Sequence, residues 1–282
     1  MLKVRTLLIF VLLSSFVIVT AFISGHDDDY TIDQLRELYS SGQPQSWPKA
    51  NVDAGPAKNF RDIGKPGSVK FPKDNPFSKE KVLLGKMLFF DPRLSLSRQI
   101  ACASCHDPEL GWGDGKHLAY GHNRKNGKRN SMTILNTGYY DRLFWDGRAS
   151  SLEDQVQFPV QDQAEMAQGL KAMVSNVKNI KGYRVYFEAA FGTKEVSLDA
   201  IQKAIATFER TVTSKNSRFN LFVNGNKTIL KDDEVMGLHL FRTPSLRETK
   251  LTGPGCTMVI SLPSGMWLNI IMAVIHHRYS VV

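Results

Sequence analysis

The stretch "IACASCHDPELGWGDG" gathers two of the chain's three cysteines and a histidine into five residues, Cys102-Ala103-Ser104-Cys105-His106. No other feature constrains the fold as strongly, because this C-x-x-C-H spacing matches the covalent attachment of a c-type haem. Each thiol can add to one vinyl group of a single porphyrin, and the adjacent His106 can then reach the iron as proximal ligand. A chain that wraps such a group is expected to be helical, with long irregular loops. Two rival readings of the motif are weaker. A zinc site wants a second Cys/His pair, and only Cys256 is left to supply a thiol. A thioredoxin-type redox motif wants a βαβ context, which the sequence does not offer.

The N-terminus carries Lys3 and Arg5, then a mostly apolar run from Leu7 to Ile23, then polar residues. This is the pattern of an export signal over residues 1–25. The run is long for a cleaved segment, so an uncleaved N-terminal anchor that tethers the chain to a membrane is the alternative. Either way the remainder is expected outside the cytoplasm, in the bacterial periplasm, where c-type haems are attached. The later apolar stretch "MVISLPSGMWLNIIMAVI" is broken by Pro263 and Gly265 and is not read as a membrane span. Lys and Arg outnumber Asp and Glu by 36 to 27, a formal net charge of +9. Nucleic-acid binding makes little sense for an exported chain. The preferred reading is a solvated basic surface, and the functional alternative is docking to an acidic redox partner.

Residues 26–74 are rich in Pro, Gly and charge and read as an extended linker or surface-wrapping extension. Ser78 then caps "KEKVLLGKMLFFD", a helix with Val82, Leu83, Met87 and Phe90 mainly on one face. Ser197 opens "LDAIQKAIATFERTV", with Leu198, Ile201, Ile205, Phe208 and Val212 as an apolar stripe. A last amphipathic stretch, "KDDEVMGLHLF", starts near Lys231. Strand alternation is scarce. The expected fold class is mainly α, a c-type cytochrome-like haem domain with long loops.

Four stretches add up in order and spacing: "LGKMLFFDPRLS", "CASCHDPELGWGDG", "RNSMTILNTGYYDRLFWDGRASSLEDQVQFPVQDQAEM" and "AIATFERTV". Through them the chain resembles the bacterial di-haem cytochrome c peroxidase family, which includes the methylamine-utilisation type of di-haem enzyme. The resemblance spans residues 75–215 and the later "FRTPSLRETKLTGP". It implies a peroxidatic c-type haem domain over 75–215 and a remnant of a second cytochrome domain over 216–254. Cys102 and Cys105 would carry the haem, His106 would be its proximal ligand, and His122 in "YGHN" would match the family's distal histidine. That distal residue ligates the resting iron in many members and moves aside on activation; without the family, His122 is a loop histidine on a basic hairpin. Trp145 matches the tryptophan between the two haems, and alone would be an ordinary core aromatic. Gln155 and Glu165 match the distal polar pair, and alone would be surface helix residues. In those roles Glu165 moves a proton between the peroxide oxygens as acid/base while Gln155 orients the peroxide. Asn130, with the backbone carbonyls of Thr252 and Pro254, matches a calcium site between the family's two domains; such oxygen ligands suit that hard cation. The implied substrate is hydrogen peroxide, and the implied electron donor is a small redox protein such as a cytochrome c or a cupredoxin.

The chain also departs from the family. A second C-x-x-C-H should follow "DDEVMGLHLF", which instead runs into "RTPSLRETKLTGP" at Phe241–Arg242. One covalent haem is therefore expected, with peroxidase turnover impaired for want of the electron-accepting second haem. After Pro254 the sequence loses the family pattern. Loss of one nucleotide within the Pro254 codon would account for this: in the restored frame Met258–Val259 and Met272–Ala273 each force a Gly, and Met266–Trp267 force a Val. Residues 255–282 are accordingly read as an aberrant, frameshifted tail and Cys256 as an accident of the shifted frame. The leading expectation is a periplasmic c-type haem peroxidase-like oxidoreductase. The alternatives are a mono-haem electron carrier, with His122, Met166 or Met173 at the sixth iron position, and a decayed gene product without a role.

Overall fold

The computed structural model describes residues 30–50, 62, 67–214 and 216–242. The export segment, Thr252, Pro254, Cys256 and the tail lie outside the described residues. Among those described, the regular elements are helices, and pairing between extended segments is limited to isolated bridges such as Tyr120 with Asn126. The helices are α1 (Ile32–Ser40), α2 (Lys79–Phe89), α3 (Leu152–Gln155), α4 (Gln157–Gln161), α5 (Leu170–Asn179), α6 (Tyr183–Phe191), α7 (Leu198–Glu209), α8 (Arg218–Val223) and α9 (Asp232–Arg242). None is long and apolar enough to cross a membrane.

The main core forms where α2 crosses α7. Both helices start as the sequence predicts: Ser78 accepts from the amide of Lys81, and Ser197 from that of Ala200. Each cap satisfies an otherwise orphaned helical N–H and contributes about 1 kcal/mol. Along α7 the predicted stripe holds, with Ile201, Ile205, Phe208 and Val212 buried and Leu198 at its edge. The face of α2 differs from the expectation. Leu84, Gly85, Leu88 and Phe89 are buried, whereas Leu83 and Phe90 are 50% and 40% exposed. Gly85 is the reason. A Cβ there would lie 1.9 Å from the Ala204 carbonyl oxygen, so the missing side chain is what lets the two backbones touch. The contact centre is thus a residue with no hydrophobicity to read.

A buried polar network braces the same crossing. Arg210 makes two bonds to the Glu153 carboxylate, 2.6 and 2.8 Å, and Asn75 donates to it at 2.7 Å. Burial alone would raise the Glu153 pKa, but these donors hold it below the usual value.

A smaller core lies apart from the first and corrects the reading of residues 26–74 as an extended linker. Thr31 and Gln34 form a capping box that starts α1, whose Leu35 and Tyr39 pack with Trp47, Phe222, Val235 and Leu238. Arg242 closes this core, ion-paired with Asp62 and stacked 4.9 Å from the Trp47 ring. A T-x-x-Q box followed by apolar residues at helical spacing outweighs the Pro and Gly downstream.

Candidate haem cleft and distal site

The C-x-x-C-H motif occupies a single turn of 3-10 helix, Cys102–Ser104, in which the amide of His106 donates to the Cys102 carbonyl at 3.0 Å. This turn directs both thiols and the imidazole into one cleft. Ile100, Val156, Pro159, Met166 and Ile205 supply its apolar wall, and Gln155, Glu165 and Glu209 are the polar groups on it. Cys102 and Cys105 are free thiols, half-buried and not joined to each other.

His106 is held as an iron ligand needs to be. Its Nδ1 lies 3.2 Å from the Trp112 carbonyl, a bond that fixes the proton on that nitrogen and leaves Nε2 with the lone pair. Burial pushes its pKa down, which keeps the ring neutral. Behind it stands an aromatic wall: Phe89 is 6.4 Å from the His106 ring, and Phe89, Trp112 and Phe208 pack on one another at 5.3 to 6.1 Å. Two attachment thiols, a neutral oriented imidazole and an apolar wall fit a covalently bound haem.

The distal candidates divide. Gln155, at the end of α3, and Glu165, in the loop after α4, both reach the cleft, although 10 residues of chain separate them. Burial is the main reason the Glu165 pKa is raised; nearby Asp162 adds to the shift and Arg148 opposes it. His122 does not line the cleft. Its backbone amide donates to the Glu165 carbonyl at 2.8 Å, and its Nδ1 is buried without a hydrogen-bond partner. Trp145 is apart from the cleft and 57% exposed, not the core aromatic its residue type suggests. Of the methionines, Met166 lines the cleft and Met173 is sealed in the main core. The Asn130 amide donates to the Lys116 carbonyl, which leaves its side-chain oxygen available to a cation.

Glu209 is the site residue that sequence reasoning missed. It is only 5% exposed, one carboxylate oxygen has no partner, and burial pushes its pKa up to about 8. Its spacing was the clue: 201, 205 and 209 form one i, i+4 row on α7, so a carboxyl continues a row of buried isoleucines.

Comparisons with known proteins show the family. The family profile described as di-haem cytochrome c peroxidase matches residues 79–228. The chain belongs to the di-haem cytochrome c peroxidase family. It is 38% identical over 186 residues to the methylamine utilization protein MauG of Methylophilus methylotrophus, covering 66% of this chain and 55% of that one. It is 40% identical over 167 residues to the cytochrome c551 peroxidase of Nitrosomonas europaea, covering 59% and 50%. Among solved structures, a MauG-like protein associated with microbial copper homeostasis matches with a TM-score of 0.58 and 31% identity, covering 63% of this chain and 53% of that one. The chain thus spans about half the length of the curated relatives it matches.

Proposed function

We propose that this chain is a periplasmic haem peroxidase-like oxidoreductase, one that reduces hydrogen peroxide with electrons from a small redox protein. One observation carries the reading: Gln155 and Glu165 share a cleft with Cys102, Cys105 and His106. Bound to those thiols, a haem c supplies the iron that takes up peroxide and passes it electrons. The protein's own groups do the rest. His106 holds the proximal side in a fixed tautomer. The Gln155 amide orients peroxide. The Glu165 carboxylate takes the proton from the inner peroxide oxygen and returns it to the outer one, which leaves as water. A pKa raised by burial suits that exchange, because it makes the carboxylate a better proton acceptor than an exposed one. In this reading the chain holds a single haem, Trp145 presents its exposed ring where a second redox centre approaches, and Asn130 contributes to a calcium site.

Glu165→Gln tests the proposal. The haem-loaded variant should react with peroxide about 10²–10⁴-fold more slowly in stopped flow, the usual worth of a placed acid/base. An unchanged rate would refute the role of Glu165. The position of Met166 supports a second reading, a mono-haem electron carrier with methionine at the sixth position. Such a protein would be inert to peroxide and show histidine–methionine ligation in its near-infrared magnetic circular dichroism.

A further inference from the structure

Arg210 has two carboxyl neighbours, and the fold treats them differently. Glu153 is paired, with two bonds from Arg210 and a third from Asn75. Glu209 is enclosed instead, and one of its carboxylate oxygens is buried with no hydrogen-bond partner. Packing alone would favour another isoleucine at this point of the row 201, 205, 209, because a buried acid without donors destabilises a fold. The mechanism proposed above makes no use of this group.

Its surroundings leave its protonation open to control from the cleft. Glu209 lines the cleft with Cys102, Cys105 and His106. Burial is the main reason the Cys102 thiol is pushed up, and the Glu209 charge is the next, so the field of this carboxylate reaches the first haem-attaching sulfur. Once joined to a haem, both thiols are thioethers and no longer titrate. Of the charges acting on Glu209, Arg210 favours the ionised form and Glu153 opposes it, and those two are paired with each other. Glu165 is the other acid on the cleft, Gln155 is uncharged, and burial keeps His106 neutral. Burial, not a fixed partner, therefore dominates, and it lifts the group to about 8. A haem with iron(III) carries one more positive charge than the same haem with iron(II), which is enough to tip such a group.

We infer that Glu209 is the proton-uptake site coupled to haem reduction: its carboxylate takes one proton from solvent when the iron gains an electron and releases it on oxidation. The step balances. A one-electron donor is oxidised by one, iron(III) becomes iron(II), and the O–H bond formed on Glu209 replaces one in a hydronium ion. This inference rests on the cleft being a haem site and is independent of peroxide chemistry. A unit charge about 10 Å away, in a medium of effective dielectric about 20, changes a proton affinity by roughly tenfold.

The test uses the full haem-loaded chain in spectroelectrochemical titrations. From about pH 6 to about pH 10 the midpoint potential of the parent should fall by about 59 mV, the equivalent of that tenfold change for a one-electron couple. Glu209→Gln should remove the fall. In reduced-minus-oxidised infrared difference spectra taken at about pH 8, reduction of the parent should add the carbonyl stretch of a protonated carboxylic acid. That band should shift in deuterium oxide, vanish in Glu209→Gln and persist in Glu165→Gln. A pH dependence that survives in Glu209→Gln would overturn the inference, as would a band lost in Glu165→Gln instead. Parent spectra without the band would overturn it even where the variant fails to load haem. Failure of the parent to retain a covalent haem would refute the cleft reading and this inference together. Reduction coupled to Glu209 in a chain inert to peroxide would support the inference while refuting the peroxidase reading.

Discussion

Glu209→Gln isolates the energetic effect of a carboxyl group in the haem cleft. In the native chain burial raises the Glu209 pKa from 4.5 to about 8, with Arg210 opposing the shift and Glu153 adding to it. Below pH 4.5 the group is protonated in both folded and unfolded states and costs nothing. As pH rises, the unfolded chain ionises first and the folded chain keeps its proton, so stability falls. The loss stops once pH passes the folded value. Every tenfold difference in proton affinity between the two states corresponds to about 1.4 kcal/mol, which makes the deficit about 3 kcal/mol at pH 7 and about 5 kcal/mol above pH 8. Glutamine has nearly the same shape and cannot ionise. Denaturant unfolding of the haem-loaded protein, followed by far-UV circular dichroism from pH 5 to 9, should show the variant gaining on the parent steadily as pH rises. A stability difference that stays flat with pH would refute the assignment, because it would mean that Glu209 ionises at its ordinary value in the folded chain.

Gly85→Ala should destabilise the fold by about 1–3 kcal/mol in thermal melts despite alanine's better helix propensity, because its methyl group has no room against Ala204 and Phe208. Acid extraction of the denatured protein should leave one haem per chain, and none after Cys102→Ala with Cys105→Ala; two haems per chain would contradict the single attachment motif. His122 does not line the cleft, so ligation of the iron requires its hairpin to move; on that reading His122→Gly should convert a low-spin resting spectrum to high spin. An unchanged spectrum would give the sixth position to Met166.

The legible parts of this protein are those in which one residue type permits one kind of chemistry at one spacing. Cys102, Cys105 and His106 are of this kind, and so are the serine caps at Ser78 and Ser197. The buried face of α2 is not legible, because its centre is Gly85 and the apolar residues Leu83 and Phe90 stay exposed. The helix α1 is half legible. Its capping box is written in "TIDQ", but the surface that rewards it belongs to α8 and α9, some 190 residues along the chain. Glu209 is written in the same row as Ile201 and Ile205, yet a carboxyl group in such a row is ordinarily solvated, so the pattern hides it. Cleft residues are chosen for what they do to a bound group, so they break the hydrophobic pattern that marks a core.

The loop after α4 ties these parts together. The Met166 carbonyl accepts from the Leu96 amide at 3.0 Å, the Glu165 carbonyl from the His122 amide at 2.8 Å, and the Met166 amide donates to Pro159 at 3.1 Å. Ala167 closes the turn with φ of 53°, a left-handed conformation that costs an alanine about 1 kcal/mol or more and is kept only because the bonds around it determine the path. The acid/base candidate Glu165 and both candidates for the sixth iron position, His122 and Met166, therefore share one short hydrogen-bonded junction. The bond to the Glu165 carbonyl is made by the His122 backbone amide, so a shift of the hairpin backbone at His122 would load the backbone from which the Glu165 side chain extends. In the proposed function, movement of the hairpin at His122 and placement of the Glu165 carboxylate would be coupled through this junction. Substitutions at His122 and Glu165 should accordingly be non-additive in the peroxide reaction, although their side chains perform different chemistry.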